Sequence, residues 1–163
     1  MHTPSGSVAV LLFSLSAIQE ARRKPMTGSV ARNERVWRSL EQLAMGKVAA
    51  SGLPGFVYHE LAPNCSGTFG EQLYKATKAV LDLGYESVIC IGNDCPALRP
   101  SDLRAAARAV QSGIMPVGAD ERGGVYLAAF NRSLLTDEEA FISLPWQTAS
   151  LAQALLDHLR LQV

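Results

Sequence analysis

One stretch constrains this chain more than any other: Ser87-Val88-Ile89-Cys90-Ile91-Gly92-Asn93-Asp94-Cys95-Pro96-Ala97-Leu98. Ser87 to Ile91 run small and apolar without alternation, the pattern of a strand covered on both faces by helices. Gly92, Asn93 and Asp94 then break the run, and Pro96 keeps a helix from starting at once. A second start follows at Pro100-Ser101-Asp102, and from Leu103 the apolar residues fall at helical spacing. Asp94 is therefore expected just beyond the carboxyl end of a central strand, where open α/β sheets place their ligands. A carboxylate there can hold a divalent metal or a hydroxyl-bearing substrate. Its plainer role is to brace the turn by accepting backbone N–H bonds.

The remaining chain supplies partners for that strand. Val8 to Phe13 is a second unalternating run and reads as the first strand. Ser14 to Ser29 is a polar, basic connection longer than a turn requires, which makes it a candidate ligand loop. It holds neither a dinucleotide-binding nor a P-loop glycine signature. Ser29 is placed to cap a helix with Val36, Trp37, Leu40, Leu43 and Ala44 on one face, ended by Gly52-Leu53-Pro54-Gly55. Phe56 to His59 reads as a short strand. Thr68-Phe69-Gly70-Glu71 reads as a capping box opening a helix that buries Leu73, Ala76, Thr77, Val80 and Leu81 and stops at Gly84. After the central strand, Leu103, Ala106, Ala107 and Val110 face inward on the next helix.

Ile114 to Gly118 is a short strand whose Pro116 excludes a fully paired central position. Asp120-Glu121-Arg122-Gly123-Gly124 turns the chain into Val125 to Phe130, and so short a link makes that pair antiparallel. Ser133 to Ala140 is expected to form a short helix, and Thr148 to cap a last one carrying Leu151, Leu155 and Leu159. The order predicts a three-layer αβα domain over residues 1–163, with a mostly parallel sheet and one late antiparallel strand.

Composition narrows the partners. Fifteen basic residues cancel fifteen acidic ones, so bulk charge points to neither nucleic acid nor membrane. The distribution is uneven, with Arg22, Arg23, Lys24, Arg32, Arg35 and Arg38 crowding one early segment. Those cations either bind an anion or form a solvated helix face. No apolar run approaches the length of a membrane span. Three cysteines, Cys65, Cys90 and Cys95, lack metal-ligand spacing and fit a reducing cytoplasm. Cys90 belongs to the buried strand and reads as inert packing, whereas Cys95 adjoins Asp94.

Ile91-Gly92-Asn93-Asp94-Cys95-Pro96-Ala97-Leu98, preceded by Gly67-Thr68-Phe69-Gly70-Glu71, is one part of a wider pattern. Val117-Gly118, Gly123-Gly124-Val125-Tyr126-Leu127 and Leu144-Pro145-Trp146-Gln147-Thr148 complete it. Over roughly residues 8–160 these patches resemble a bacterial family with the GT-A fold of nucleotide-diphospho-sugar transferases. The resemblance implies a transferase taking a nucleotide-activated sugar, or a related nucleotide-diphosphate donor, with a divalent cation (Mg or Mn). It implies that Asp94 helps hold the ion, with Asn93 in the same turn, and that Gly123 and Gly124 let the backbone approach the diphosphate. Arg22, Arg23 and Lys24 would meet phosphate oxygens.

Two departures stand out. The family carries aspartate directly before the double glycine, where this chain has Arg122. Its first loop carries a glycine and a lysine-threonine-arginine run, where here Lys24 is followed by Pro25-Met26-Thr27. Arg122 can stand in for part of the metal's charge, which leaves open a nucleotide or phospho-metabolite binding module without turnover. A nucleotidyltransferase on the same fold is a further alternative. His59, Trp146 and Tyr126 are secondary candidates for the pocket wall.

Overall fold

The structure, a computed structural model, describes residues 6–62, 66–93 and 95–161. Among these a five-stranded sheet has the order β2-β1-β3-β5-β4. The strands are β1 (Val8–Leu12), β2 (Gly55–Val57), β3 (Ser87–Ile91), β4 (Val117–Ala119) and β5 (Val125–Asn131). β1 runs parallel to β2 and β3, while β5 is antiparallel to both β3 and β4. β5 is thus the reversed strand of an otherwise parallel sheet, as its short link to β4 requires. β4 lies at the edge, where Pro116 cannot interrupt a central ladder.

Both faces of the sheet are covered. Ala9, Leu11, Val88, Cys90, Ala128 and Phe130 pack beneath α4 (Phe69–Asp82), α6 (Glu138–Ile142) and α7 (Leu151–Leu161). Val8, Val10, Leu12, Ile89, Ile91, Leu127 and Ala129 pack beneath α2 (Val30–Ser51) and α5 (Pro100–Gln111). Alternate residues of β1 and β3 therefore serve opposite cores. Burial on both sides is the physical origin of their unalternating sequences.

The helix boundaries follow local chemistry. Ser29 accepts the Arg32 N–H to open α2, and Gly52 closes it at φ 80°. Leu73, Ala76, Thr77, Val80 and Leu81 are buried on α4, and Leu103, Ala106, Ala107 and Val110 on α5, the faces that spacing predicts. Asp102 at the third position of α5 accepts the Arg99 N–H at 2.8 Å. That bond, with the Arg99 guanidinium beside it, holds its carboxyl below the usual range.

Several expectations need correction: the helix expected over Ser133 to Ala140 divides into a 3-10 turn at Arg132–Leu135 and α6, and Leu43 is exposed on α2. The strand foreseen over Phe56 to His59 stops at Val57, and Tyr58–Leu61 forms a one-turn helix, α3. Tyr58 turns into the core against Phe13, and its hydroxyl donates to Gln72; the tertiary contact overrides the extended propensity of an aromatic residue. The connection Ser14 to Ser29 is not all loop, because Ala17–Arg23 forms α1, started by a reciprocal Ser16–Gln19 cap. The Thr68 box is half formed: Thr68 accepts the Glu71 N–H at 3.2 Å, while the Glu71 carboxylate lies against Gly67.

Candidate ligand-binding cleft

A cleft of about 1040 Å³ opens at the carboxyl ends of the parallel strands. β1 and β3 end in register, Leu12 opposite Ile91, and β5 begins on the same side, Leu127 opposite Ile91. Phe13, Gly92, Asn93, Asp120 and Gly124 therefore gather at one sheet edge from three separate parts of the chain. Arg23 and Lys24 join them from the end of α1, Gly67 and Phe69 from the start of α4, and Trp146, Gln147 and Thr148 from the loop before α7.

The basic end of α1 is held from behind. Buried Asn33 accepts the N–H groups of Met26 and Thr27, at 3.0 and 2.7 Å, and the Thr27 hydroxyl at 2.9 Å. The buried Trp37 indole donates to the Lys24 carbonyl at 3.2 Å, and the Lys24 ammonium lies 5.4 Å from the Trp37 ring centre. Glu20 is buried beneath these cations: its carboxylate accepts the Leu15 N–H at 3.2 Å and stands 3.9 Å from the Lys24 Nζ. Arg23 has no hydrogen-bonding or ionic side-chain partner among the described residues. Arg22 is exposed and does not line the cleft.

Across the cleft, Asp120 builds the turn that presents Arg122. Its Oδ1 accepts the N–H groups of Arg122 and Gly124 at 2.8 and 2.9 Å, and its backbone N–H donates to the Gly124 carbonyl at 2.9 Å. Gly123 lies at φ 84°, and a Cβ there would stand 2.0 Å from the Ala149 carbonyl oxygen. A Cβ on Gly124 would meet the Asp120 carboxylate at 2.8 Å. The turn thus demands glycine at Gly123, while a Cβ on Gly124 would displace the Asp120 carboxylate; Gly124 lines the cleft and Gly123 does not. Arg122 is exposed, lines the cleft, and has no side-chain partner among the described residues.

Asn93 is 8% exposed and faces the cleft, and its side-chain amide meets no donor or acceptor among the described residues. The unbonded amide atoms reach the open cleft, where they can exchange hydrogen bonds with solvent or a ligand. Asp94 lies outside the described residues, as does Cys65. Cys95 lines the cleft half-buried, whereas burial pushes the Cys90 thiol up to about 12, opposed by the Thr77 hydroxyl 3.6 Å away. Of the secondary candidates, Trp146 and Tyr126 line the cleft; Trp146 packs on Phe69 and Phe141 and donates its indole N–H to Phe141. His59 instead pairs with Glu41 away from the cleft.

Two wall residues escape a reading of the sequence. Glu20 is one, since a carboxylate in a basic segment reads as a surface charge. Gln147 is the other: it is the non-glycine residue at positive φ, 63°, among the described residues, and no residue type announces that.

A divalent ion asks for several oxygen ligands that are not otherwise engaged. The cleft's described carboxylates, Glu20 and Asp120, already accept backbone N–H groups, and Lys24 stands beside the first. No group of three or more metal-ligating side chains occurs among the described residues. The described residues do not fit a divalent-ion site.

The comparisons with known proteins agree with the fold. Residues 34–148 match the family described as "Uncharacterized protein conserved in bacteria (DUF2064)", and the chain belongs to that family. A crystal structure described as a "putative nucleotide-diphospho-sugar transferase" from Desulfovibrio desulfuricans G20 is similar with a TM-score of 0.75. The two are 17% identical, over 98% of this chain and 77% of that one. No curated protein matches the chain. No helix among the described residues is long and apolar enough to cross a membrane.

Proposed function

We propose that the chain is a transferase of GT-A type that takes a nucleotide-activated sugar, or a related nucleotide-diphosphate donor, in the carboxyl-edge cleft. One observation carries this reading: the unpartnered side chains of Arg23, Arg122 and Asn93 line a single cleft, although they come from distant parts of the chain. A diphosphate offers anionic oxygens to such donors, and guanidinium groups grip them with paired N–H bonds. Phe13, Phe69, Tyr126 and Trp146 give the same cleft an aromatic wall suited to a base or sugar ring. Transfer to an acceptor hydroxyl breaks the bond between the sugar's anomeric carbon and the diphosphate oxygen. Fixed cations around the leaving diphosphate would stabilise the charge it gains.

A thermal-shift panel of nucleoside diphosphates and their sugars, each with and without Mg²⁺ or Mn²⁺, tests the reading. A ligand at a hundred times its dissociation constant adds about 2.7 kcal/mol of stability. A panel in which no nucleotide shifts the transition overturns the proposal. Arg122, standing where the resemblance calls for an acid, favours a second reading in which the cleft binds such a ligand without turnover. Release of free nucleoside diphosphate from a bound sugar nucleotide separates the two, and also separates both from a nucleotidyltransferase, which transfers the nucleoside monophosphate and releases pyrophosphate from a nucleoside triphosphate or the sugar phosphate from a sugar nucleotide.

A further inference from the structure

We infer that the cleft holds its diphosphate without a divalent ion, with Arg122 and Arg23 supplying the counter-charge and Asn93 an additional hydrogen bond. The inference rests on the nucleotide-diphosphate reading above and concerns how that ligand is neutralised.

A metal-dependent site needs carboxylates whose oxygens are open to the ion. Asp120 has the position for that role but holds the turn instead, through two backbone N–H groups on one oxygen. Glu20 is buried, bonded to the Leu15 N–H and faced by Lys24. Of the described acids in the cleft, Asp120 alone keeps an oxygen, Oδ2, open to an ion, while Glu20 is engaged on both sides.

The cations show the reverse arrangement. The backbone around Arg122 is fixed by the Asp120 bonds, by the close fit of Gly123 against Ala149, and by the Ala152 N–H donating to the Gly123 carbonyl at 3.1 Å. The guanidinium projecting from that rigid turn has no protein partner among the described residues. Arg23 is likewise unpaired at the end of a capped helix. Two exposed arginines without protein partners and the open Asn93 amide line this one cleft and offer it donors suited to an anion. An added divalent cation would have to enter against Arg23, Lys24 and Arg122.

Calorimetric titration with ADP, GDP, CDP, UDP and dTDP, in EDTA and again in Mn²⁺, provides the test. At least one nucleotide should bind in EDTA, with an affinity that Mn²⁺ changes by less than about threefold. Arg122→Asp should weaken that binding by at least tenfold in EDTA while leaving the urea midpoint of this exposed turn position unchanged. Arg122→Lys should recover part of the loss, since it restores charge but not the fork. Binding that requires Mn²⁺ overturns the inference and leaves the nucleotide reading standing. Equal binding by parent and Arg122→Asp in EDTA also overturns it. No binding under either condition removes the nucleotide reading and the inference together.

Discussion

The two ends of the sheet carry cavities of comparable size, about 1040 Å³ at the carboxyl edge and 840 Å³ at the amino edge. They treat charge and backbone differently. At the amino edge, Arg132 is paired with Asp82 at 3.0 Å, and Asp82 also meets Lys78 at 3.0 Å. The positive-φ residues lining that cavity are the glycines Gly84 and Gly113, which take such angles without strain. At the carboxyl edge Arg23 and Arg122 are unpaired, Asn93 is unbonded, and a glutamine occupies the left-handed region. The buried Ser7 hydroxyl at the amino edge also lacks a partner, but the arginine there is neutralised. The carboxyl edge differs in that its arginines keep no protein partner among the described residues.

The largest contrast should lie in the turns. Gly123→Ala puts a Cβ into the Ala149 carbonyl as well as a side chain at positive φ, so the loss should be about 3–4 kcal/mol. Gly113→Ala, at φ 85° with nothing within 4 Å of the new atom, should lose only the conformational part, about 1–2 kcal/mol. Urea melts of both variants decide it. Equal losses would mean that the Ala149 contact does not hold the Arg122 turn in place.

Next in size is a comparison of two arginines. Arg23→Ala should weaken binding of the best nucleoside diphosphate by about tenfold or more, the loss of a charged hydrogen-bond donor. Arg132→Ala, at the opposite edge and already neutralised by Asp82, should change it by less than about twofold. A large effect at Arg132 with none at Arg23 would move the ligand to the other end of the sheet.

How far the sequence carried these distinctions differs between fold and site. The buried faces of α4 and α5 were legible because single helices with one apolar stripe obey a local period. Strands β1 and β3 were legible because burial on both faces leaves an unalternating run. Tyr58 and α1 were not: the first depends on a core contact with Phe13, the second on a cap in a segment too short and polar for periodicity. At the site, the breaker after β3 announced Asn93, and composition announced Arg23 and Lys24. Arg22 and Gly123 were named through the family resemblance, and neither lines the cleft. Asn33 and Trp37, which hold the Lys24 loop from behind, act through tertiary hydrogen bonds that no local pattern encodes.

A smaller effect should come from Gln147. Its φ of 63° is strained for a glutamine by about 1 kcal/mol. Gln147→Gly should therefore raise stability by up to about that amount, reduced by the greater freedom of glycine in the unfolded chain. If the side chain meets the ligand, nucleotide affinity should fall in the same variant. A gain in stability with unchanged affinity would make the strain a feature of the α7 entry alone and weaken the contrast between the two edges.

The smallest effect is one of pH, and it tests whether Arg132 is as fully neutralised as the contrast requires. Lys78 and then Arg132, both bonded to the Asp82 carboxylate, hold its pKa below the ordinary value. A carboxyl with a lower pKa in the folded than in the unfolded chain stabilises the fold above the unfolded value, about pH 4, and that contribution fades as pH falls through the folded value. Asp82→Asn cannot titrate. The difference in urea midpoint between parent and variant should stay constant from pH 7 to 5 and shrink below about pH 4. Because these groups are well exposed, salt should reduce the difference at pH 7 as well. A difference that persists unchanged at pH 2.5 would mean that the Asp82 charge does not serve Arg132. The same variant leaves Arg132 unpaired beside the amino-edge cavity. If unpaired arginine alone sufficed to make a phosphate site, Asp82→Asn would bind inorganic pyrophosphate there. The expected result is that it does not, because Lys78, freed with Arg132, does not line the cavity and no unbonded amide comparable to Asn93 occurs among the described lining residues.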